Sequence, residues 1–530
     1  MRRYLVALAC AMLLAGGLSS VAASAVEDGR WTPSSIELLP DDRSQWWPDA
    51  TELTGSREAA MGYLDSQQAA DGSWSEDYGV TALTTFAMLN GGRDTDHPVV
   101  AKALAYVLSQ VKEDGSFSEG TYVHYYTSLA VMALSAEGGE DNEPLVRGGA
   151  DMLVREQCDG DEEGFEEWWR GGIGYGGDGR PDLSNTQFAM MALVAAQEAY
   201  PTSVKVPTET WQQLLLFLHR SQNLPEVNDL DWDDDVTQAS YGDGGFIYHP
   251  GRSNAGELNS YGSMTSTGLW CLLAAGETVA SPSASAALAW LADGYSGTEN
   301  PVMGEAGYFY FAYATARALR TAGAPALTSH DGTQLYWACQ LADGLLAKQH
   351  VTGYWMNTRS DQWWEGDPIV ATAFALLTLE AMMPAEDAGF RVRAPEGGTI
   401  RIEDPLGRRD AEIPGWSRND DGTITVDDVS SGPFSVEVKG VDSVEVASEV
   451  GGTVKVWKEV GLARGGGKMT VDVAPLLGPA QLVVANVAAL PSVPVSSSTP
   501  GPGVAMALVA VVVLAAVAAV AVRRGYRKES

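Results

Sequence analysis

The sequence predicts an all-α (α/α)6 toroid, followed by a small all-β sandwich and one C-terminal transmembrane helix. A helix-turn-helix unit recurs six times between residues 55 and 383, which predicts twelve helices in two concentric rings. Between residues 388 and 487, short segments of alternating polar and apolar residues separate turns rich in Gly, Pro and Asp. Residues 504–522 form an uncharged apolar run. Because these three patterns differ in period, we expect three structural regions.

The first repeat shows the plan of the helical region. A helix over residues 56–68 leads into the turn Ala70-Asp71-Gly72-Ser73-Trp74, and an apolar helix over residues 80–89 follows. The repeats lie about 40 to 70 residues apart, which excludes tetratricopeptide and ankyrin arrays with periods near 34 and 33. The second helix of each pair is apolar nearly all round and predicts an inner ring, whereas the first carries charge and faces solvent.

The repeat turns carry a family resemblance. The strings Gln68-x-x-Asp71-Gly72-Ser73-Trp74 and Gln110-x-x-x-Asp114-Gly115-Ser116-Phe117 resemble the Q-x-x-D-G-x-W repeat of squalene-hopene cyclases, oxidosqualene cyclases and protein prenyltransferase β subunits. The resemblance implies a toroid whose central cavity holds an isoprenoid. Gly244-Gly245-Phe246, Ser263-Met264-Thr265 and Ser184-Asn185-Thr186-Gln187 are similar to strings of an extracytoplasmic, membrane-anchored branch of this terpenoid cyclase superfamily. For that branch the resemblance implies no settled activity.

The acid that a cyclase needs is altered in this sequence. Class II terpene cyclases protonate an alkene with a buried carboxylic acid, and the resemblance places it in a D-x-D-D-T string that opens an inner helix. The matching position reads Asp182-Leu183-Ser184-Asn185-Thr186, and neither Ser nor Asn can protonate an alkene. A second string, Asp231-Trp232-Asp233-Asp234, matches D-x-D-D but precedes its repeat turn instead of following it. A cyclase acting through Asp231, Asp233 and Asp234 therefore stays as the alternative function.

A partial calcium loop begins at Asp159. Asp159, Asp161 and Glu163 offer oxygen ligands at loop positions 1, 3 and 5, and a Gly follows at position 6. Position 12 is Arg170, where a calcium loop has Glu. The D-x-C and His zinc ligands that the prenyltransferase resemblance would imply have no counterpart. Calcium is thus the only cofactor for which the sequence predicts ligands.

Aromatic side chains concentrate in the interhelix turns and at the starts of inner helices. In a toroid these positions surround one mouth of the cavity, where aromatic side chains contact an apolar ligand. Packing between repeats is the alternative role for these rings. The candidate ligand contacts are Trp168, Trp169, Asp182, Asn185, Tyr308, Tyr310, Trp363 and Trp364, with the Tyr125-Tyr126 pair as a further aromatic cluster.

The region after the repeats predicts a β-domain. Seven segments with period-two alternation lie between residues 388 and 487. About seven strands in roughly 100 residues are typical of an immunoglobulin-like sandwich. No catalytic constellation lies in it, so we interpret it as a spacer.

Both ends of the chain carry targeting patterns. Residues 1–25 pair a basic start with an apolar stretch and a small-residue cleavage site, which predicts a signal peptide, and residues 26–54 form an N-terminal extension. Residues 504–522 are long enough to cross a bilayer, and the basic tail 523–530 stays cytoplasmic. The Ser/Pro/Gly-rich residues 488–503 predict a stalk. The chain is therefore predicted to be a single-pass cell-membrane protein with an extracytoplasmic N-terminal ectodomain.

Charge narrows the class of partner. The chain has 69 acidic and 34 basic residues, a formal net charge of −35, which argues against nucleic acid and anionic lipid. Our leading hypothesis is a surface protein that binds an apolar, isoprenoid-like ligand or a peptide in the toroid cavity without catalysis. A class II terpenoid cyclase and a purely structural module are the alternatives. A carbohydrate-active enzyme using two of Glu305, Glu365 and Asp367 also stays open.

Overall fold

The computed structural model describes residues 47–485 with internal gaps. The signal peptide, stalk and transmembrane segment predicted above lie outside the described residues. Within the described part of the chain, no helix is both long and apolar enough to span a membrane. The gaps are residues 162–163, 177–179, 231–240, 325, 384–388, 396, 404–408, 414–415, 420–421, 427–433, 442, 451–452, 462–465 and 473–480.

Twelve α-helices form two concentric rings in the described residues. The even-numbered helices form the inner ring, in which each contacts the following even-numbered helix. Because α12 also contacts α2, the ring closes, and the predicted toroid is confirmed. The inner helices are α2 (Tyr78–Asn90), α4 (Val123–Glu137), α6 (Leu183–Ala199), α8 (Gly262–Ala274), α10 (Tyr308–Thr321) and α12 (Pro368–Met382). The outer helices are α1 (Ala50–Gln67), α3 (Pro98–Leu108), α5 (Glu143–Arg155), α7 (Thr208–Arg220), α9 (Pro282–Gly294) and α11 (Trp337–Lys348).

The glutamine of the repeat turn joins one helix pair to the next. Gln68 Nε2 donates to the Gly72 carbonyl (3.1 Å) inside its own turn and to the Val99 carbonyl (2.8 Å) at the start of α3. Gln349 makes the same pair of bonds to Gly353 (2.8 Å) and Ser56 (3.0 Å), which ties the last repeat to the first. Equivalent bonds are made by Gln157 and Gln222. Each of these four glutamines therefore holds one junction of the ring.

A threonine on the inner helix anchors the other side of the turn. The backbone N–H of Trp74 donates to Thr81 Oγ1 at 3.0 Å. In the third repeat the N–H of Ile173 donates to Thr186 Oγ1 at 3.0 Å. The Thr of the altered acid string therefore has a structural role that is independent of any acid beside it. The same bond is made by Thr127, Thr265 and Thr372.

The remaining strands form a small hairpin and a two-sheet sandwich. The hairpin β1 (Leu327–Thr328) and β2 (Gln334–Leu335) lies between α10 and α11. In the sandwich, both sheets are antiparallel, in the orders β5-β6-β3-β8-β9 and β11-β10-β7-β4. The strands are β3 (Gly389–Arg393), β4 (Thr399–Glu403), β5 (Trp416–Arg418), β6 (Ile424–Val426), β7 (Phe434–Lys439), β8 (Ser443–Val450), β9 (Thr453–Gly461), β10 (Gly466–Asp472) and β11 (Gln481–Ala485).

The sandwich corrects two expectations. The described residues hold nine sandwich strands, because β5 and β8 join the seven predicted segments. The first strand, β3, lies in the middle of its sheet, whereas the first strand of an immunoglobulin domain lies at a sheet edge. The immunoglobulin-like strand order was therefore wrong. Alternation identifies a strand from local residues, but strand order depends on pairing between distant segments. Val392 and Val436 show that the two sheets share one buried core.

Candidate ligand-binding site

A cavity of about 240 Å³ opens at one end of the ring. Residues from the first turns of all six inner helices line it, so it lies where the N-terminal ends of those helices meet. Eleven of its 21 described lining residues are aromatic, and we call it the aromatic cup. The aromatic residues are Tyr122, Tyr125, Tyr126, Tyr175, Phe188, Tyr248, Tyr261, Tyr310, Trp363, Trp364 and Phe374. The others are Asp77, Gly79, Val80, Leu83, Ser184, Asn185, Asn254, Ser263, Met264 and Val370.

Three rings from three inner helices form the floor of the cup. Tyr310 lies between Phe188 (ring centroids 6.2 Å apart) and Phe374 (5.7 Å). Its hydroxyl donates to Gln187 Oε1 at 2.6 Å and lies 2.9 Å from Thr267 Oγ1. These bonds fix the Tyr310 ring against α6 and α8, where it limits the volume of the cup. Its volume lies below the roughly 300–1,000 Å³ usual for drug-sized ligands, so it suits a small ligand or one end of a longer one.

Asp182 lies behind the wall of the cup, in the altered acid string. It is the N-cap of α6 and is 4% exposed. Its carboxylate accepts from the Asn185 backbone N–H (3.0 Å), Asn185 Nδ2 (2.6 Å) and Ser184 Oγ (2.6 Å), and it also bonds the Tyr248 side chain. Burial raises the pKa of this carboxyl, and the four donors oppose that rise. Because Ser184 and Asn185 line the cup and Asp182 does not, the carboxyl orients the wall without meeting the cavity.

Carboxylates also cap three other inner helices at this end of the ring. Asp77 caps α2 through the Val80 N–H (2.9 Å) and accepts the Tyr126 hydroxyl (2.9 Å). Asp367 caps α12 through the Ile369 N–H at 2.7 Å. Glu365 reaches from a loop to the start of α10. These caps satisfy the N-terminal N–H groups and oppose the positive end of each helix dipole.

Residues 78–239 match the family model of the squalene-hopene cyclase C-terminal domain. This stretch of the ring is therefore squalene cyclase-like. No curated protein matches the sequence. The apo structure of the type II terpene cyclase MstE from Scytonema is similar at 15% identity and a TM-score of 0.41, over 63% of this chain and 100% of that one. An MstE variant from Scytonema in complex with geranylgeranyl dihydroxybenzoate is similar at 14% identity and a TM-score of 0.41, over 63% of this chain and 99% of that one. A protein from Actinoplanes is similar at 14% identity and a TM-score of 0.40, over 62% of this chain and 99% of that one.

The Trp363-Trp364 pair lies at the open edge of the cup. The two residues have φ angles of +57° and +65°, a left-handed backbone that side chains with a Cβ rarely adopt. Their rings are 40% and 55% exposed and line the cup. Consecutive residues in this conformation persist only where the surroundings impose it, and such strain is concentrated at ligand-binding segments.

Glu365 is the residue that holds this strained loop. Its side chain is fully buried, where its oxygens accept from the Tyr310 backbone N–H (2.9 Å) and from Asn357 Nδ2 (3.0 Å). The Asn357 backbone N–H donates to the Glu365 carbonyl at 2.8 Å. Burial raises the pKa of Glu365 to about 7. The Glu365 carboxyl, a candidate for a carbohydrate-active enzyme, thus bonds the loop and α10 and does not line the cup.

We expect Glu365 to make the ring less stable as the pH rises from about 4.5 to 7. Below 4.5 the carboxyl is protonated in both states, but between 4.5 and 7 only the unfolded chain ionises, which favours unfolding. The shift corresponds to a loss on the order of 3 kcal/mol. Urea unfolding of the wild type and Glu365→Gln at pH 4.5 and 8 measures it. Between pH 4.5 and 8, the free energy of unfolding of the wild type should fall by that much more than that of Glu365→Gln. The contribution of buried Glu380 is the same in both proteins and cancels from the difference. Equal losses would contradict the assignment.

Four of the predicted ligand contacts do not line the cup: Asp182, which lies behind its wall, and three aromatic residues. Trp168 stacks on His249 at 4.6 Å, and Trp169 is 7% exposed and packs edge-on against Trp168. Tyr308 is buried, with its hydroxyl donating to the Gly297 carbonyl at 2.9 Å. These three rings pack against neighbouring residues of the ring and do not line the cup, so their role as ligand contacts stays a prediction. Asn185, Tyr310, Trp363 and Trp364 do line the cup, as expected.

The charged candidate sites have different outcomes. Asp231, Asp233 and Asp234 lie outside the described residues, as does Glu163. In the candidate calcium loop, the Arg170 guanidinium donates to the Asp159 carbonyl and so brings a positive charge to the loop. Among the residues that the structure describes, no group of three or more His, Cys, Asp or Glu side chains could hold a metal ion.

Several cup residues were missed by sequence reasoning. Tyr175 and Tyr248 each stand four positions after the left-handed glycine of their turn, Gly171 and Gly244. That shared spacing was a usable signal. Phe188 and Phe374 lie inside apolar helices. No feature of the neighbouring sequence distinguishes a residue in the floor of the cup from a residue of the hydrophobic core there. The other missed aromatic residues are Tyr122 and Tyr261.

Proposed function

We propose that this protein is a cell-surface binding protein whose squalene cyclase-like ring holds a small apolar ligand, or the apolar end of a longer isoprenoid-like one, without transforming it. The observation that carries the proposal is the aromatic cup with its side-chain floor. Apolar surface buried in such a cup stabilises binding by about 25 cal/mol per Å² before association costs are subtracted. A peptide side chain is a second apolar group that would fit.

The chemistry of the wall supports binding over catalysis. The position of the cyclase acid is occupied by Ser184 and Asn185, and Asp182 behind them is surrounded by donors. Asp77 is the one carboxylate on the described lining, and it already accepts two hydrogen bonds. Alkene protonation needs a neutral acid presented to the cavity. A cyclase working through Asp231, Asp233 and Asp234 is the competing proposal.

The location of the protein is part of the same proposal. The predicted signal peptide, stalk and apolar segment support an ectodomain tethered outside the membrane. A cup on such an ectodomain would meet ligands from the medium or from the outer leaflet. Protease treatment of intact cells should then degrade the ring while an epitope placed after residue 530 stays protected.

Filling the cup tests the binding function. We expect full-length protein in lipid nanodiscs to bind geraniol saturably, measured as quenching of tryptophan fluorescence. Val370→Trp should abolish saturable binding because the indole occupies the cup, and Met264→Trp is a second filling variant in case the first misfolds. Val351→Trp is the matched control, since Val351 is 92% exposed and outside the cup. Wild-type protein without saturable binding, or equal binding by all variants, would refute the proposal.

Product analysis separates the two functions. We expect mass spectrometry to recover geraniol, geranylgeraniol and squalene unchanged after incubation with the protein. A cyclic product that Asp233→Asn abolishes would establish the cyclase alternative in place of passive binding.

A further inference from the structure

We propose that the aromatic cup selects an organic cation, a small alkylammonium group such as trimethylammonium with a short apolar body. The inference rests on the proposed binding function and names its ligand class. It follows from three features of the cup: its aromatic walls, the charges on its lining and the caps of the helices that point at it.

The aromatic walls favour a cation over a neutral group of the same shape. Aromatic faces carry negative electrostatic potential, and a cation desolvated against several of them is bound by cation–π attraction. The Tyr126 hydroxyl donates to Asp77 at 2.9 Å, and Tyr248 bonds Asp182, which leaves both phenol rings richer in electrons. The exposed Trp363 and Trp364 rings border the mouth, where an entering cation meets them first.

The charges on the lining have one sign. The 21 described lining residues include no Lys, Arg or His, and Asp77 supplies a carboxylate. A formal chain charge of −35 adds a long-range attraction that raises the local concentration of cations. An anionic ligand would meet neither a counter-charge nor a basic side chain on this surface.

The helix ends do not reverse this preference. Six helix N-termini converge on the cup, and uncapped N-termini attract anions. Here Asp77, Asp182, Glu365 and Asp367 already occupy four of them. At α8, the Ser263 N–H donates to Asn300 Oδ1 at 2.9 Å. At these five of the six helices the N-terminal donors are already engaged by the protein itself and are not free to bind an anion. The aromatic rings and Asp77 therefore favour a cation.

Three isosteric probes test the sign of the charge. We expect full-length protein in nanodiscs at 0.15 M salt to bind choline at least about tenfold more tightly than 3,3-dimethylbutan-1-ol, its neutral isostere, by isothermal titration calorimetry. The anionic 3,3-dimethylbutanoate should not bind. Equal affinity for choline and its neutral isostere would overturn the cation proposal and leave the binding function standing. If none of the three probes binds and geraniol does not bind either, both the cation proposal and the proposed binding function are wrong.

Two pairs of variants assign the effect to the cup. Asp77→Asn removes the charge but keeps the helix cap, since Asn caps as well as Asp. Choline affinity should then fall about tenfold relative to the affinity for the neutral isostere. Asp141→Asn, at an exposed site outside the cup, removes the same charge and should change nothing. Trp364→Leu should weaken choline about fivefold, whereas Trp364→Phe retains most of the affinity. Equal losses of choline affinity in Asp77→Asn and Asp141→Asn would show that the effect comes from the overall charge of the protein and would contradict a cation site in the cup.

Trimethylammonium occurs both free and in lipid headgroups, and a further arm separates these sources. Phosphatidylcholine nanodiscs should compete with free choline for the cup if headgroups are ligands, whereas phosphatidylglycerol nanodiscs should not. Unchanged choline affinity in both nanodiscs would assign the site to a free alkylammonium.

Discussion

Replacing Gly171 by alanine is expected to lower the free energy of unfolding by about 4 kcal/mol. The new Cβ would lie 1.8 Å from the Gln213 carbonyl oxygen, and that oxygen belongs to the backbone of α7, which cannot yield cheaply. The φ of +86° at Gly171 adds about 1–2 kcal/mol for any residue with a Cβ, and overpacking adds about 1–3 kcal/mol. Urea unfolding measures the loss.

Gly92→Ala is the matched control for this prediction. Gly92 has a similar φ of +82°, but nothing lies within 4 Å of its Cβ position. The free energy of unfolding of Gly92→Ala should fall by only about 1–2 kcal/mol, the cost of the left-handed backbone conformation. Equal losses at the two positions would show that contact between repeats is not what requires glycine at Gly171. The same close approach to the next repeat's backbone recurs at Gly72, Gly115 and Gly353.

Replacing Phe374 by alanine is expected to cost about 3–5 kcal/mol of stability and to deepen the cup. Phe374 is 5% exposed, and its ring contacts Tyr310, which lines the cup, and Tyr313, which is buried outside it, with ring centroids 5.7 and 5.8 Å away. Removing the ring extends the cavity toward Tyr313. Geranylgeraniol should therefore gain affinity relative to geraniol, as measured by fluorescence titration, while urea unfolding reports the stability.

Phe374→Leu is the control for the floor. Leucine fills most of the same volume, so the stability loss should stay near 1 kcal/mol and the chain-length preference should not change. A large stability loss in Phe374→Ala without any change in chain-length preference would mean that neighbouring side chains collapse into the space. The floor would then not limit ligand length.

The ring itself could be predicted from sequence because its determinants are local and repeated. Gln68, Gly72 and Trp74 lie within seven residues, and each has its role in the turn or across the next junction. The candidate site was predicted only in part. Trp363 and Tyr310 line the cup as expected. Trp168 and Tyr308 stand in similar aromatic stretches of the sequence but pack between repeats.

The sequence by itself determined the six-fold repeat of helix pairs and the presence of Ser184 and Asn185 where the string D-x-D-D-T has acids, since each depends on residue type at a known spacing. Only the tertiary structure decided which aromatic rings face the cavity, that Asp182 lies behind the wall, and that Phe188, Tyr310 and Phe374 close the floor. The direction of a side chain on an inner helix depends on its two neighbouring helices in the ring, which are distant in sequence, and no local pattern records their approach.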